Sequence, residues 1–423
     1  MIDLNDLRKN PAKYQEALNR KRIKFSVSDF LLLDSEYRSS LTAFETAKAD
    51  QNRLSKEVPK LQGEERQSVL NELKNLGHTL KDLESTKDEL AKKWRQEQLY
   101  FASLPHHSVP SGASDADNVE LYRVGDIPCF NFTPLDHVTL GNSLSGLDIA
   151  RGVKVAGARS FFLKGSLARL QHAVHSYALD FIEARGFTLM SPPHIVREFA
   201  FTGTGYFPGG EESAYHLDKR DDDMYLIGTA EVPLCTYFAE EFIDLKNLPI
   251  RVAGLSPCYR REAGTYGKDS YGLYRVHQFA KVEQVVISFN DADDSLKLHD
   301  ELLKNSEDFL QSLTIPYRVV TVCDGDMGQG QVFKKDIECW MPSRNSYAET
   351  HSCSSFHDFQ ARRLEIKYRD KDGNSRYCYT LNNTLVATPR ILIPLLENLQ
   401  LQDGRVAIPQ VLQPYMRGEL FLT

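Results

Sequence analysis

The feature that most restricts the fold lies between about Ser28 and Phe101. Apolar residues recur there at Phe30, Leu33, Tyr37, Leu41, Phe44, Ala47, Leu54, Val58 and Leu61, mostly in steps of three and four. Gly63 interrupts the run. A second run follows at Val69, Leu73, Leu76, Leu80, Leu83, Leu90 and Trp94, with Lys87 breaking in. Two heptad-like helices joined by a short turn form an antiparallel coiled coil. At about thirty residues per helix the hairpin extends roughly 45 Å. The pattern alone favours a plain dimerisation hairpin or two core helices of a bundle. Lys48, Arg53, Lys56 and Lys60 lie toward the tip of the first helix, and Lys87, Lys92, Lys93 and Arg95 lie on the second. Charge runs of this kind are ordinarily solvated faces.

A break follows. LPHHSVPSGASDADN, residues 104–118, is rich in Pro, Ser, Gly and Asp and reads as a linker. The expected organisation is an N-terminal domain over 1–103, the linker, and one mixed domain over 119–423. A chain of 423 residues with 41% hydrophobic and 26% charged residues has ample material for both. No apolar run reaches membrane-spanning length. MIDLNDLRKN has no apolar stretch behind it, so no signal peptide is expected and a cytoplasmic location is the default. The seven cysteines form no C-x-x-C pair, which argues against a disulfide framework and a thiolate zinc site. His172 and His175 lack the glutamate of an H-E-x-x-H helix. The net charge of −7 gives no bulk attraction to nucleic acid, yet leaves room for a local basic surface.

Within the second domain, Leu170, Val174, Tyr177, Phe181 and Ile182 share a helical face, and Gly186 is placed to end that helix. TLMSPPHIV reads as a strand through Pro192 and Pro193, which belongs at a sheet edge or an interface. RVAGLSPCYRRE and LYRVHQFAKVEQVVIS read as antiparallel strands around a long polar loop. NSRYCYTLNNT is strand-like, and PRILIPLLENL reads as a helix opened by Pro389. The acidic run 221–223 reads as a loop rather than a metal site.

The strand pair carries Arg260, Arg261, Glu262, Arg275, Phe279 and Glu283, and Arg390 stands where a strand passes into a helix. An arginine-rich hairpin by itself is commonly a ladder of cross-strand ion pairs. Arginines also take phosphate oxygens in forked geometry and stack on bases. Together with an aromatic ring and carboxylates they suit a nucleoside triphosphate. Neither G-x-x-x-x-G-K-[ST] nor the kinase H-R-D pattern occurs.

Helix–Gly–strand–Pro–Pro, then Tyr–Arg–Arg–Glu with a loop and returning strand, then strand–helix with Arg390 resemble motifs 1, 2 and 3 of the class II aminoacyl-tRNA synthetases. Gly-Thr-Ala-Glu at 228–231, His-Gln-Phe-Ala-Lys-Val-Glu at 277–283, Asp-Phe-Gln-Ala-Arg-Arg at 358–363 and the helical arm narrow the resemblance to seryl-tRNA synthetases of the bacterial type, over essentially the whole chain. The resemblance implies an α+β fold: an antiparallel-sheet catalytic domain with an N-terminal antiparallel coiled-coil arm. It implies a homodimer formed through motif 1, no membrane association, and a ligase that joins L-serine to tRNA(Ser) through seryl-adenylate. It extends to tRNA(Sec) where the host has that tRNA. ATP is the implied co-substrate and magnesium the implied ion, without zinc. The arm would grip the tRNA. A synthetase-like binding or regulatory protein without aminoacylation is the competing expectation.

Carried onto this chain, the resemblance gives Arg260 the α-phosphate and the serine carboxylate. Glu262 would accept from the adenine amino group, and Phe279 and Arg390 would stack on the two adenine faces. Arg275 would meet the outer phosphates, with Arg261, Val276, Thr350 and His351 also at the nucleotide site. Glu349 and Ser352 would ligate magnesium. Thr229, Ala230, Glu231, Glu283, Asn382 and Thr384 would form the serine pocket together with Arg260. The chemistry needs positioning and charge stabilisation, not a covalent nucleophile. Read without the family, Thr229 is equally a helix cap with Glu231 in its first turn, Glu283 a solvated strand residue, and Glu349 a partner for Arg362 or Arg363. Two departures stand out. Asn382-Asn383-Thr384 replaces the Asn-Gly-Ser of many relatives, and Ala387-Thr388-Pro389-Arg390 replaces a glycine-containing form.

Overall fold

The computed structural model describes residues 1–218, 223–264 and 271–423. Asp221 and Asp222 of the acidic run lie outside the described residues. The chain divides into two compact units, Ile2–Ala102 and Ser103–Thr423 with Met1.

The first unit is helical: α1 (Leu4–Lys9), α2 (Pro11–Arg20), α3 (Val27–Glu57) and α4 (Gly63–Gln98). Local chemistry sets these starts. The Asp3 carboxylate accepts from the Asn5 and Asp6 amides, Pro11 opens α2, and the Ser26 hydroxyl accepts from the Asp29 amide. A short turn at Val58–Lys60 reverses the chain into α4. Phe30, Leu33, Leu54 and Leu80 are buried, while Tyr37, Leu41, Phe44, Leu73, Leu76 and Leu83 are half-buried along the seam. Sequence places Lys87 among the solvated cations. It instead lies in the seam, its side chain only 18% exposed and its ammonium 4.3 Å from the centroid of the Phe44 ring. A cation over a ring face lets the polar residue keep the apolar step in register. Lys48, Arg53, Lys56, Lys60, Lys92, Lys93 and Arg95 are exposed. Near the base, buried Asp34 takes two hydrogen bonds of 2.8 Å from Arg8 and one of 2.9 Å from Trp94 Nε1.

The second unit is built on an eight-stranded sheet. Its strands are β1 (Val119–Val124), β2 (Thr188–Met190), β3 (Ile250–Tyr259), β4 (Gln278–Ser288), β5 (Tyr317–Thr321), β6 (Phe333–Met341), β7 (Ser346–His357) and β8 (Tyr379–Thr388). They lie in the order β1-β5-β6-β7-β8-β4-β3-β2, antiparallel except for the β2–β3 pair. The helices that serve the argument are α5 (His137–Ser143), α6 (Gly165–Glu183), α7 (Glu231–Thr236), α8 (Ala292–Ser312), α9 (Phe359–Leu364) and α10 (Leu392–Asn398).

Strand alternation assigns the faces. On β4, Val282 and Val286 enter the main core with Leu170, Val174 and Ile182 of α6 and Leu302 and Phe309 of α8. Gln284 points the same way and accepts from Asn305 of α8 at 2.8 Å. The odd positions face the other side. There Val285 and Ile287 join a smaller core with Leu234 of α7 and Ala361 of α9. Phe279, Lys281 and Glu283 continue that face beyond the cover of those helices, and they line a cleft.

Three expected elements differ in extent. Pro192 and Pro193 break the expected strand: β2 stops at Met190, and Ile195–Arg197 pairs in another sheet. β2 is nonetheless an edge strand of the sheet. The expected strand 374–384 is interrupted at Cys378, leaving Ser375–Tyr377 in a separate sheet. The helix expected from Pro389 starts at Leu392, because Pro389–Ile391 are spent on the turn that leaves β8.

Candidate active site

Two β-bulges shape the cleft floor. Between β6 and β7, Ile337 faces His351 and Glu338 faces Glu349, so Thr350 is an extra residue. Between β4 and β8, Val282 faces Val386 and Glu283 faces Thr384, so Leu385 is extra. In a regular strand, residues three apart point to opposite faces. With one residue inserted, Glu349 and Ser352 share the cleft face, and so do Thr384 and Ala387. Ser352, Ser354 and Phe356 then resume the alternation. The cleft has a volume of ≈ 340 Å³.

The arginine-rich hairpin closes one end. The Arg260 guanidinium lies 5.2 Å from the Phe279 ring centroid, and its Nε donates to the Gly228 carbonyl at 3.2 Å. Arg275 Nη1 donates to Glu262 Oε2 at 2.6 Å. Glu262 sits at φ 52°, a left-handed conformation uncommon for a side chain of this size. Across the cleft, Arg390 donates from Nε to the Tyr274 carbonyl and from Nη1 to the Glu349 carbonyl, both at 3.2 Å. Its guanidinium lies 4.4 Å from the Tyr274 ring centroid and 3.6 Å from the Glu349 carboxylate. The Glu349 side chain is 46% exposed at the cleft wall. Desolvation pulls its carboxyl upward, but Arg390, Lys334, Arg260 and Arg275 together hold it below its ordinary value. Glu349 therefore pairs with Arg390, and Arg362 is instead bonded to Asp358.

The other end is acidic. The Glu231 carboxylate accepts from the Tyr206 hydroxyl and from Gln360 Nε2, each at 2.7 Å. Burial pushes its carboxyl up to about 7, the neighbouring Glu283 adds to this, and the two hydrogen bonds pull back. Glu283 is 1% exposed, so the solvated-strand reading fails for it. It pairs with Lys281 and accepts from Thr229 Oγ1 at 3.2 Å. Thr229 Oγ1 in turn accepts from the Glu231 amide at 3.2 Å. Two carboxylates stand against one lysine at this end, whereas Arg260, Arg275, Arg390 and Lys334 outnumber Glu262 and Glu349 at the other, so the cleft is polarised along its length.

Of the residues singled out by sequence, Arg260, Glu262, Arg275, Val276, Phe279, Glu349, Thr350, Ser352, Arg390, Glu231, Glu283, Asn382 and Thr384 line this one cleft. Four do not. Thr229 is buried behind Glu231 and Glu283, and Ala230 packs in the smaller core. Arg261 is exposed, its amide bonded to the Ser213 carbonyl. His351 is buried beside Thr350, which bonds its Nδ1 at 2.8 Å, and burial lowers it to about 4. Asn383 points away from the cleft and donates to the Leu302 carbonyl of α8 at 2.5 Å, so that departure from Asn-Gly-Ser lies on the back of the sheet. The sequence reading missed Tyr206, Tyr274, Lys281, Lys334 and Gln360. Lys281 was within reach, since it shares parity with Phe279 and Glu283. Lys334 pairs with Asp336 at 3.1 Å on β6, and nothing in its local pattern marks it.

Among the described residues, no group of three or more His, Cys, Asp or Glu stands together as a metal site. Glu349 and Ser352 offer two hard oxygens facing the cleft. That donor set fits a magnesium ion, which completes its shell with water and phosphate oxygens. No helix among the described residues is long and apolar enough to cross a membrane.

Comparison with known proteins agrees with this arrangement. Residues 1–105 match the seryl-tRNA synthetase N-terminal domain, and residues 215–399 match the tRNA synthetase class II core domain (G, H, P, S and T). A serine–tRNA ligase of Deinococcus radiodurans is 44% identical over 99% of this chain and 98% of its own length. The crystal structure of a seryl-tRNA synthetase from Pyrococcus horikoshii complexed with ATP superposes with a TM-score of 0.92 at 36% identity, covering 100% of this chain and 99% of that one. A cytoplasmic serine–tRNA ligase of Naegleria fowleri in complex with AMP superposes with a TM-score of 0.86 at 31% identity, over 98% of this chain and 96% of that one. With both its helical unit and its catalytic sheet matched along their full length, the chain belongs to the seryl-tRNA synthetase family.

Proposed function

We propose that this chain, a serine–tRNA ligase by family, activates L-serine with ATP in the cleft and then transfers the seryl group to the 3′ end of tRNA(Ser). The observation that carries the proposal is the polarity of the cleft. Glu231 and Glu283 close one end, and Arg260, Arg275 and Arg390 with Phe279 close the other. Glu231 would take the serine ammonium, while Glu283 and Thr384 would take its hydroxyl. Adenine would enter between Phe279 and Arg390 with its amino group toward Glu262. Arg275 would then leave its pairing with Glu262 for the outer phosphates.

Arg260 lines the same cleft and would hold both the serine carboxylate and the α-phosphate. A serine carboxylate oxygen attacks the α-phosphorus, the bond to the β-phosphate bridge breaks, and pyrophosphate leaves. In the second step a ribose hydroxyl attacks the acyl carbon and AMP departs. Arg260 contributes by alignment and by neutralising charge on the α-phosphate in the transition state. Glu349 and Ser352 would hold magnesium, which neutralises phosphate charge when bound. The ATP and AMP complexes of the two solved relatives support a nucleotide in this cleft.

The helical hairpin would bind the tRNA, with its exposed lysines and arginines on phosphates. The same reading extends to tRNA(Sec) in a host that has it. Val155, Phe162, Ile195 and Phe199 are exposed, and β2 is an edge strand. These features support a homodimer of C2 symmetry, and sedimentation as a fully active monomer would reject it. The main test is pyrophosphate exchange with each amino acid, followed by tRNA charging. Exchange with serine is expected; exchange with alanine alone, or with none, overturns the proposal.

A further inference from the structure

We propose that His137, oriented by Glu397, is a positioning residue that clamps the returning limb of the arginine-rich loop and so sets Arg275 for the phosphates and Arg390 for the adenine of ATP. This rests on the reading of Arg275 as a phosphate ligand.

Glu397 of α10 is 0% exposed, and its carboxylate is saturated. Oε1 accepts from the His137 amide at 3.0 Å, from His137 Nδ1 at 2.7 Å and from Ser343 Oγ at 2.9 Å. Oε2 accepts from the Ser343 amide at 2.9 Å. His137, 4% exposed, opens α5 and presents its second nitrogen to the loop. Nε2 accepts from the Leu273 amide at 3.2 Å. The two bonds fix one tautomer, with the proton on Nδ1 facing the carboxylate and a lone pair on Nε2 facing the backbone. The preceding residue is Gly272 at φ 75°, where a Cβ would overlap His137 Nε2. Only glycine lets the backbone close onto the imidazole there.

What lies just beyond the clamp gives it meaning. Leu273 lines the cleft and is 0% exposed. The Tyr274 carbonyl receives Arg390, and the Tyr274 hydroxyl donates to the Glu349 carbonyl at 3.1 Å. Arg275 follows directly. This limb is not part of β4, which begins at Gln278. The Leu273 amide is therefore a backbone anchor outside the sheet ladder for the segment that carries Arg275.

The test separates the two ends of the imidazole. His137→Asn keeps an N–H near the Nδ1 position for Glu397 and loses the acceptor for Leu273. His137→Gln places an amide oxygen near Nε2 and keeps that acceptor. In serine-dependent pyrophosphate exchange, run below the melting transition of each variant, the Asn variant should raise the KM for ATP about three- to tenfold, the scale of one net hydrogen bond. Its kcat and its KM for serine should stay near those of the unsubstituted chain. Hydrogen exchange of peptides spanning 271–277 should quicken. The Gln variant should restore both readouts. Equal effects of the two variants, or a lowered melting temperature in the Asn variant without a change in KM for ATP, would overturn the inference. Arg275→Ala is run alongside: if it leaves the KM for ATP unchanged, the reading of the cleft fails; if it raises the KM while His137→Asn does not, only the clamp fails.

Discussion

Glu231, proposed above to take the serine ammonium, is 4% exposed, and burial brings its carboxyl up to about 7. A serine ammonium needs the carboxylate form. Burial raises the Glu231 carboxyl to about 7, so below that pH the free protein holds it mostly protonated and serine must expel the proton to bind. The sign follows: serine affinity rises with pH up to about 7 and levels off above it. Calorimetry of serine binding near pH 6, in two buffers of different ionisation heat, should register proton release. Glu231→Gln preserves much of the shape but not the charge, and it should raise the KM for serine roughly 10- to 100-fold while removing that proton release. Arg260→Ala tests the opposite end. It should lower the rate of serine-dependent pyrophosphate exchange by about 10²-fold or more, the scale of a lost transition-state donor. Near-normal exchange would make Arg260 an ordinary partner of Phe279 and the Gly228 carbonyl. Residues such as Arg260, Phe279 and Glu283 were legible because they share one strand pair, where parity and spacing carry the information. Gln360 and His137 were not. Each acts through a partner more than a hundred positions away, and no local pattern records such a meeting.

At the scale of elements, the base of α3 is held by a charge. Burial opposes ionisation of Asp34, yet the bonds from Arg8 and Trp94 outweigh it and keep the carboxyl below its ordinary value. A group whose folded value is depressed stabilises the fold above its unfolded pKa of about 3.9 and ceases to do so as pH falls through the folded value. Asp34→Ala should cost about 2 kcal/mol, moderated because the Arg8 side chain remains 29% exposed. The measurement is acid and thermal unfolding followed by Trp94 fluorescence in a Trp340→Phe background, since these are the two tryptophans. The α3–α4 hairpin itself was readable from its apolar steps, and the place of Lys87 was not. A heptad pattern marks a lysine as an interruption, whereas three dimensions offer it the Phe44 ring. The bulges at Thr350 and Leu385 were equally invisible, because strand parity predicts opposite faces for Glu349 and Ser352. Family resemblance grouped those two residues, and backbone geometry supplies the reason.

For the whole molecule, the division into two units predicts that the two steps of the reaction can be separated. The cleft, Tyr206 included, lies wholly in the second unit. Replacing residues 42–89 with a short turn spares the Asp34–Trp94 clamp. It should leave serine-dependent pyrophosphate exchange nearly intact while tRNA charging falls steeply, mainly through the KM for tRNA. Charge reversal at Lys48, Arg53 and Lys56 should do the same more mildly and flatten the salt dependence. Undiminished charging by the shortened chain would return the hairpin to a structural role. The seam between α3 and α4 adds a constraint of another kind. Its apolar steps stay face to face only if both helices change length together, by whole heptads. Seven residues added to each would carry the tip about 10 Å further out, whereas an unequal insertion would turn one face away from the other. The hairpin is in this sense a gauge with fixed graduations. If it binds tRNA as proposed, its length can be reset to suit a longer or shorter RNA without altering a single residue of the cleft.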